Sequence, residues 1–74
     1  MKIQIVYCEV WNYTPRAVSL TGALLSRYKS AIKEITLVPS DGGKFEVTVD
    51  KKMVFSKLQT GRHTEPSEVI NEIE

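Results

Sequence analysis

The 74-residue chain has one cysteine, one tryptophan and one histidine, and three prolines. A lone cysteine excludes an intrachain disulfide. Small secreted domains generally need several such staples, so the cysteine count predicts a reducing, cytoplasmic setting. Long apolar runs are also missing. The longest near the start, Ile5-Val6-Tyr7-Cys8, is far short of a signal segment or spanning helix, so no membrane association is expected. Neither sign of charge dominates. Ten Lys plus Arg against nine Asp plus Glu leave +1, which gives no basic footprint for nucleic acid. His63 and Cys8 offer two metal ligands where a closed structural zinc site needs four, so no metal is expected. Asp41-Gly42-Gly43-Lys44 lacks the spacing and the following Ser or Thr of a phosphate loop, and reads as a plain turn. There are no internal repeats, low-complexity tracts or linkers. The length bounds the chain to a single domain, residues 1–74, with a core worth a few kcal/mol.

What is present alternates in the manner of strands and helices. Ile3, Ile5 and Tyr7 alternate with Lys2, Gln4 and Val6, which predicts a first strand with one buried face. Thr14-Pro15 supplies a cap followed by a residue suited to the first helical position, so a helix is expected over 15–29. Its inner stripe is Ala17, Leu20, Leu24 and Tyr28, broadened by Leu25. Gly22 costs about 1 kcal/mol there relative to alanine, and close backbone approach to the sheet would explain it. Ile35-Thr36-Leu37-Val38 predicts a second strand that stops at Pro39. Phe45, Val47 and Val49, then Met53 and Phe55, form a hairpin around an Asp50-Lys51-Lys52 turn. Lys51, Lys52 and Lys57 read as its solvated charges. Thr64 caps a last helix carrying Val69, Ile70 and Ile73.

The order is β-α-β-β-β-α. A right-handed crossover makes the first two strands parallel and the short turn makes the last two antiparallel, giving a mixed four-stranded sheet. The first strand, the most apolar, sits centrally between the second and third. Helices cover one face in a two-layer α/β fold. The other face carries Gln4, Glu46 and Thr48 with Val6 and Val54, and predicts a weak homodimer.

Cys8 falls where the first strand ends and the loop to the helix begins, the place where α/β folds present reactive groups. A semi-buried cysteine acting as a small hydrophobe is the plainer reading. An ordinary thiol is only about 3 per cent ionised at neutral pH. Glu9 beside it and its distance from the helix start both weigh against an anion, and Arg16 is the nearby cation that could compensate. The plainer reading of Arg16 is an exposed residue at the helix start, and of His63 a solvated loop residue.

The segment Val6-Tyr7-Cys8-Glu9-Val10-Trp11-Asn12-Tyr13-Thr14-Pro15-Arg16 resembles the start of the selenoprotein W, T and H family, the Rdx group of thioredoxin-like proteins. Those proteins carry Cys-x-x-Cys or Cys-x-x-selenocysteine here, followed by a Tyr and by Pro-Arg or Pro-Lys. Gly43-Lys44-Phe45-Glu46-Val47 is similar to the family's Gly-x-Phe-Glu-Val strand, and Gly61-Arg62 before Pro66-x-Glu68 to its approach to the last helix. The resemblance implies a thioredoxin-like fold and redox chemistry at Cys8. One departure is decisive. The second redox position is Trp11, and an indole cannot attack a mixed disulfide, so a two-thiol cycle inside one chain is impossible.

What the resemblance leaves is a monothiol cycle. Cys8 attacks a disulfide or peroxide, and an external thiol such as glutathione, or a protein thiol partner, releases the adduct. Trp11, Tyr13 and Arg16 are then the expected substrate contacts, with Arg16 suited to a glutathione carboxylate. Glutathione would be a co-substrate, and no bound cofactor is implied. The alternative is a non-catalytic binding or structural relative whose redox motif has decayed.

Overall fold

The structure, a computed structural model, describes residues 1–63 and 65–74. In chain order it contains β1 (Lys2–Cys8), α1 (Thr14–Tyr28), a 3₁₀ turn (Lys29–Ala31), β2 (Glu34–Ser40), β3 (Phe45–Val49), β4 (Lys52–Ser56), α2 (Lys57–Thr60) and α3 (Pro66–Ile73). The sheet order is β2-β1-β3-β4, with β1 parallel to β2 and antiparallel to β3. The expected fold class and the central place of β1 are thus observed. The single turn of α2 is an addition to the expected element order.

Register explains why one face is apolar. Ile3, Ile5 and Tyr7 stand opposite Val49, Val47 and Phe45 on one side, and Ile3 and Ile5 opposite Ile35 and Leu37 on the other. With period-two alternation these side chains share one face. Ala17, Leu20 and Leu24 of α1 and Val69 of α3 close over it. Each fully buried Leu or Ile contributes about 1.5–3 kcal/mol. The α1 stripe is narrower than expected: Tyr28 packs only partly buried against the core, and Leu25 is exposed. Gly22 approaches nothing. A Cβ there would meet no heavy atom within 4 Å, so close packing does not account for this glycine.

Four local expectations are revised. α1 starts one residue early, so Thr14 lies within it, and Tyr13 occupies the N-cap without a side-chain cap bond. β2 runs through Pro39 to Ser40. It is an edge strand, where a missing N–H is tolerated because one side of the backbone has no partner. The hairpin turn is Asp50-Lys51 alone, both left-handed (φ 50° and 71°), as a type I′ turn requires, and Lys52 already belongs to β4. A register shift between Val47 and Thr48 then pairs Val47 with Phe55 but Thr48 with Met53. The extra residue breaks the alternation, so Phe55 is buried, Met53 is exposed and Val54 packs against the core. Val54 therefore does not enlarge an apolar patch on the open face.

The last helix is capped differently from expectation. Thr64 lies outside the described residues, and Glu65 is the N-cap of α3. Its side chain accepts the N–H of Glu68, and the Glu68 side chain accepts the N–H of Glu65. This reciprocal box satisfies two otherwise orphaned donors.

Candidate functional site

The topology itself encloses the cysteine. β2 and β3 flank β1, so their centres are about 10 Å apart, and residues 41–44 must span that gap. The connection passes the C-terminal end of β1, where Cys8 stands. Cys8 donates its N–H to the Lys44 carbonyl at 2.8 Å, and Glu9 donates to Ser40 at 3.1 Å, so both strand ends are tied to the tip of β1. Gly42 and Gly43 take left-handed conformations there (φ 69° and 73°). Such backbone is inexpensive only for residues without a Cβ.

The chain leaving β1 folds back on the same point. Asn12, itself left-handed at φ 60°, donates to Glu9 at 2.9 Å, and Tyr13 donates to the Cys8 carbonyl at 3.0 Å. The backbone N–H of Trp11 points at Cys8 Sγ, 3.3 Å away. By strand alternation Cys8 belongs with Lys2, Gln4 and Val6 on the open face, yet it is 0% exposed. The semi-buried thiol expected from sequence is fully enclosed between loop 9–13 and the 41–44 arch.

Trp11 lies on that arch. A Cβ added to Gly43 would stand 2.7 Å from Trp11 Cζ3, closer than packed atoms approach, so the indole uses the space that only glycine leaves. The rest of its ring is open, with 59% of the residue exposed beside Val10 at 71%. Neighbouring apolar residues this exposed form a small contact patch at the edge of the cysteine loop.

Tyr13 links this patch to a second cluster. Its ring meets Trp11 edge-on at 6.2 Å and His63 edge-on at 4.4 Å, and His63 also meets Phe45 at 6.0 Å. Lys57 Nζ lies 5.8 Å from the Tyr13 centroid, so Lys57 opens α2 over an aromatic ring and is not part of the hairpin's solvated charge. His63 is likewise no solvated loop residue. Burial lowers its pKa, and the positive charges of Arg16 and then Lys57 lower it further. Arg16 is exposed on the first turn of α1 and faces the His63 cluster.

The structure thus joins Cys8, Trp11 and Tyr13 through the turn of loop 9–13, and joins Arg16 to His63. Gly43, Lys57 and His63 were not expected in the site. For Gly43 a signal existed in its place at the head of the Gly-x-Phe-Glu-Val landmark. No local pattern marks Lys57 or His63, which arrive from α2 and the loop after it.

A mixed sheet with a cysteine loop between its central strand and first helix defines a thioredoxin-like protein. The sequence model of the Rdx family matches residues 2–74, and the chain belongs to that family, the selenoprotein W/T/H group. The selenoprotein W-related protein from Vibrio cholerae superposes with a TM-score of 0.92 at 26% identity, covering 97% of this chain and 90% of that one. A protein from Bordetella parapertussis also gives 0.92, at 25% identity, with 97% and 91% covered. No curated protein matches the chain. Family and fold together support a redox-related, thioredoxin-like role in general terms. No helix among the described residues is long and apolar enough to cross a membrane.

Proposed function

We propose that the protein exchanges thiols and disulfides through Cys8 alone, in a reducing cytoplasmic setting, with glutathione or a protein thiol as the second reactant. The observation that supports this is the Trp11 N–H directed at Cys8 Sγ across the three-residue spacing of the family motif. It supplies a fixed dipole for the charge that moves onto and off sulfur. The Cys8 thiolate attacks one sulfur of a disulfide, the new S–S bond forms as the old one breaks, and the displaced thiolate leaves with the electron pair. With no second cysteine in the chain, an external thiolate must attack the adduct and return Cys8 to the thiolate form. Trp11 and Tyr13 present the contact surface for the partner, and Arg16 the charge for a carboxylate.

The complete burial of Cys8 sets a condition: loop 9–13 must shift before a disulfide reaches the sulfur. The same burial favours the second reading, a non-catalytic binding relative that uses the exposed Val10 and Trp11. Incubation with glutathione disulfide separates the two. A one-to-one adduct in the intact mass, stable until thiol is added and absent in Cys8→Ser, supports exchange. Native protein that stays unmodified while a model thiol reacts sinks it. Trp11→Cys should gain an internal disulfide if loop 9–13 holds the geometry described.

A further inference from the structure

On the far side of Tyr13 from the thiol, between the start of α1 and the segment entering α3, lies a cavity of about 290 Å³. Its floor is apolar, formed by Leu20 and Phe45 of the core with Pro66 beside them, and its rim carries Arg16, Ser19 and His63. The size is at the lower end of small-ligand sites, and a mostly apolar wall with a few polar groups is their usual make-up.

The rim carries one cation, Arg16, and one carboxylate, Glu65. Among the described residues Arg16 pairs with no carboxylate, since the two ion pairs join Arg27 to Glu74 and Arg62 to Glu68. The Glu65 side chain accepts the Glu68 N–H in the α3 capping box and keeps its negative charge there. The groups around His63 are Arg16 from α1, Lys57 from α2, the Tyr13 and Phe45 rings, Arg62, which donates to its carbonyl, and Glu65 on the same cavity wall; Arg16 and Lys57 oppose its protonation. Arg16 thus stands at the cavity mouth beside His63 with no carboxylate paired to it among the described residues.

We propose that this cavity binds an organic carboxylate, its oxygens on the Arg16 guanidinium with Ser19 and His63 as further donors, and its carbon body on Leu20 and Phe45. A guanidinium fork matches a carboxylate in two parallel hydrogen bonds. The apolar floor separates such a ligand from a simple inorganic anion, which would leave Leu20 and Phe45 uncovered. The proposal rests on the reading above for the carboxylate contact at Arg16, adds the apolar floor that holds the carbon body, and needs no covalent step.

His63 is the sole histidine, so its ring protons report on the cavity directly in a proton NMR titration against pH. The probe is benzoate, added to the reduced full chain in dithiothreitol; it holds no sulfur, so the result is independent of whether Cys8 reacts. Benzoate should saturate on the order of millimolar, as befits a ligand of few atoms. It should raise the His63 midpoint by roughly half a unit by offsetting Arg16 and Lys57. Benzamide, the neutral isostere, and sodium chloride at matched ionic strength should do neither. Arg16→Gln, a change at an exposed position, should raise the midpoint without ligand and abolish the response to benzoate. An equal response to benzamide or chloride, or one retained in Arg16→Gln, overturns the site. Inorganic phosphate acting as well as benzoate overturns the role of the apolar floor.

Discussion

The two ends of β1 are built on different plans. At its start the backbone is held by a polar network. The terminal ammonium donates to Ala31, Lys33 donates to Met1 at 2.8 Å, Lys2 donates to Asp50 Oδ1 at 2.9 Å, and Asp50 returns its N–H to Lys2 at 2.8 Å. At its finish Cys8 is held by an arch with two left-handed glycines and a loop with a left-handed asparagine, under an exposed tryptophan. One strand therefore carries an end tied by a polar network and an end enclosed by two loops beneath an exposed aromatic ring. The difference follows from topology: the hairpin returns beside the start of β1, whereas two flanking strands must be joined across its finish.

The sharpest test of that contrast uses two adjacent glycines. Gly42 and Gly43 share nearly the same φ, but only Gly43 has Trp11 against it. Gly42→Ala should cost about 1 kcal/mol of left-handed strain, and Gly43→Ala at least about 2 kcal/mol because the indole must also move. Urea unfolding measures both costs, and Trp11 fluorescence in the folded protein should change in Gly43→Ala alone. Equal behaviour would remove Gly43 as the seat of Trp11.

A second pair of substitutions should separate the ends by function. Asp50→Ala is expected to cost about 1–2 kcal/mol, from one lost hydrogen bond and a Cβ-bearing residue less suited to φ 50°. It should leave native-state labelling of Cys8 by a thiol reagent unchanged. Trp11→Ala should do the reverse, costing less than about 1 kcal/mol while labelling quickens roughly tenfold, because a loop without its anchor opens more often. Labelling that follows global stability in both variants would show the ends to be one cooperative unit.

Smaller effects refine the same picture. Lys51→Gly should stabilise the turn at the start of β1 by about 0.5 kcal/mol, since φ 71° suits glycine and strains lysine. A thermal melt would register it as a higher midpoint. His63 belongs to the other end. Its folded pKa lies below the ordinary value of 6.5, so the unfolded chain binds the proton more readily. Its contribution to stability is full above 6.5 and is lost as pH falls from there through the folded value. Unfolding measured from about pH 7.5 to about pH 5.5 should therefore show a drop that His63→Gln flattens. A drop of the same depth in the variant would exclude His63 as its source.

Much of the fold was legible because period and register are local properties. Ile3, Ile5 and Tyr7 alternate, Ala17, Leu20 and Leu24 recur at helical spacing, and both patterns select a buried face before any partner is known. The same locality misled at the margins. Pro39 ends strands in general but is tolerated on an edge, and β2 becomes an edge only once the sheet is assembled. Met53 and Val54 exchanged environments because a bulge depends on the partner strand.

Sequence by itself determined the order of the four strands and the two longer helices, the central strand, the place of Cys8 at that strand's end, and the absence of a second thiol to resolve an adduct. These follow from hydrophobic period, turn chemistry and residue count, all of which are written along the chain. Tertiary structure alone decided that the thiol is enclosed, that Trp11 rests on Gly43, and that His63 and Lys57 join Tyr13 and Arg16. Those contacts unite residues up to fifty positions apart, and no side chain carries a signal of what the folded sheet will place above it.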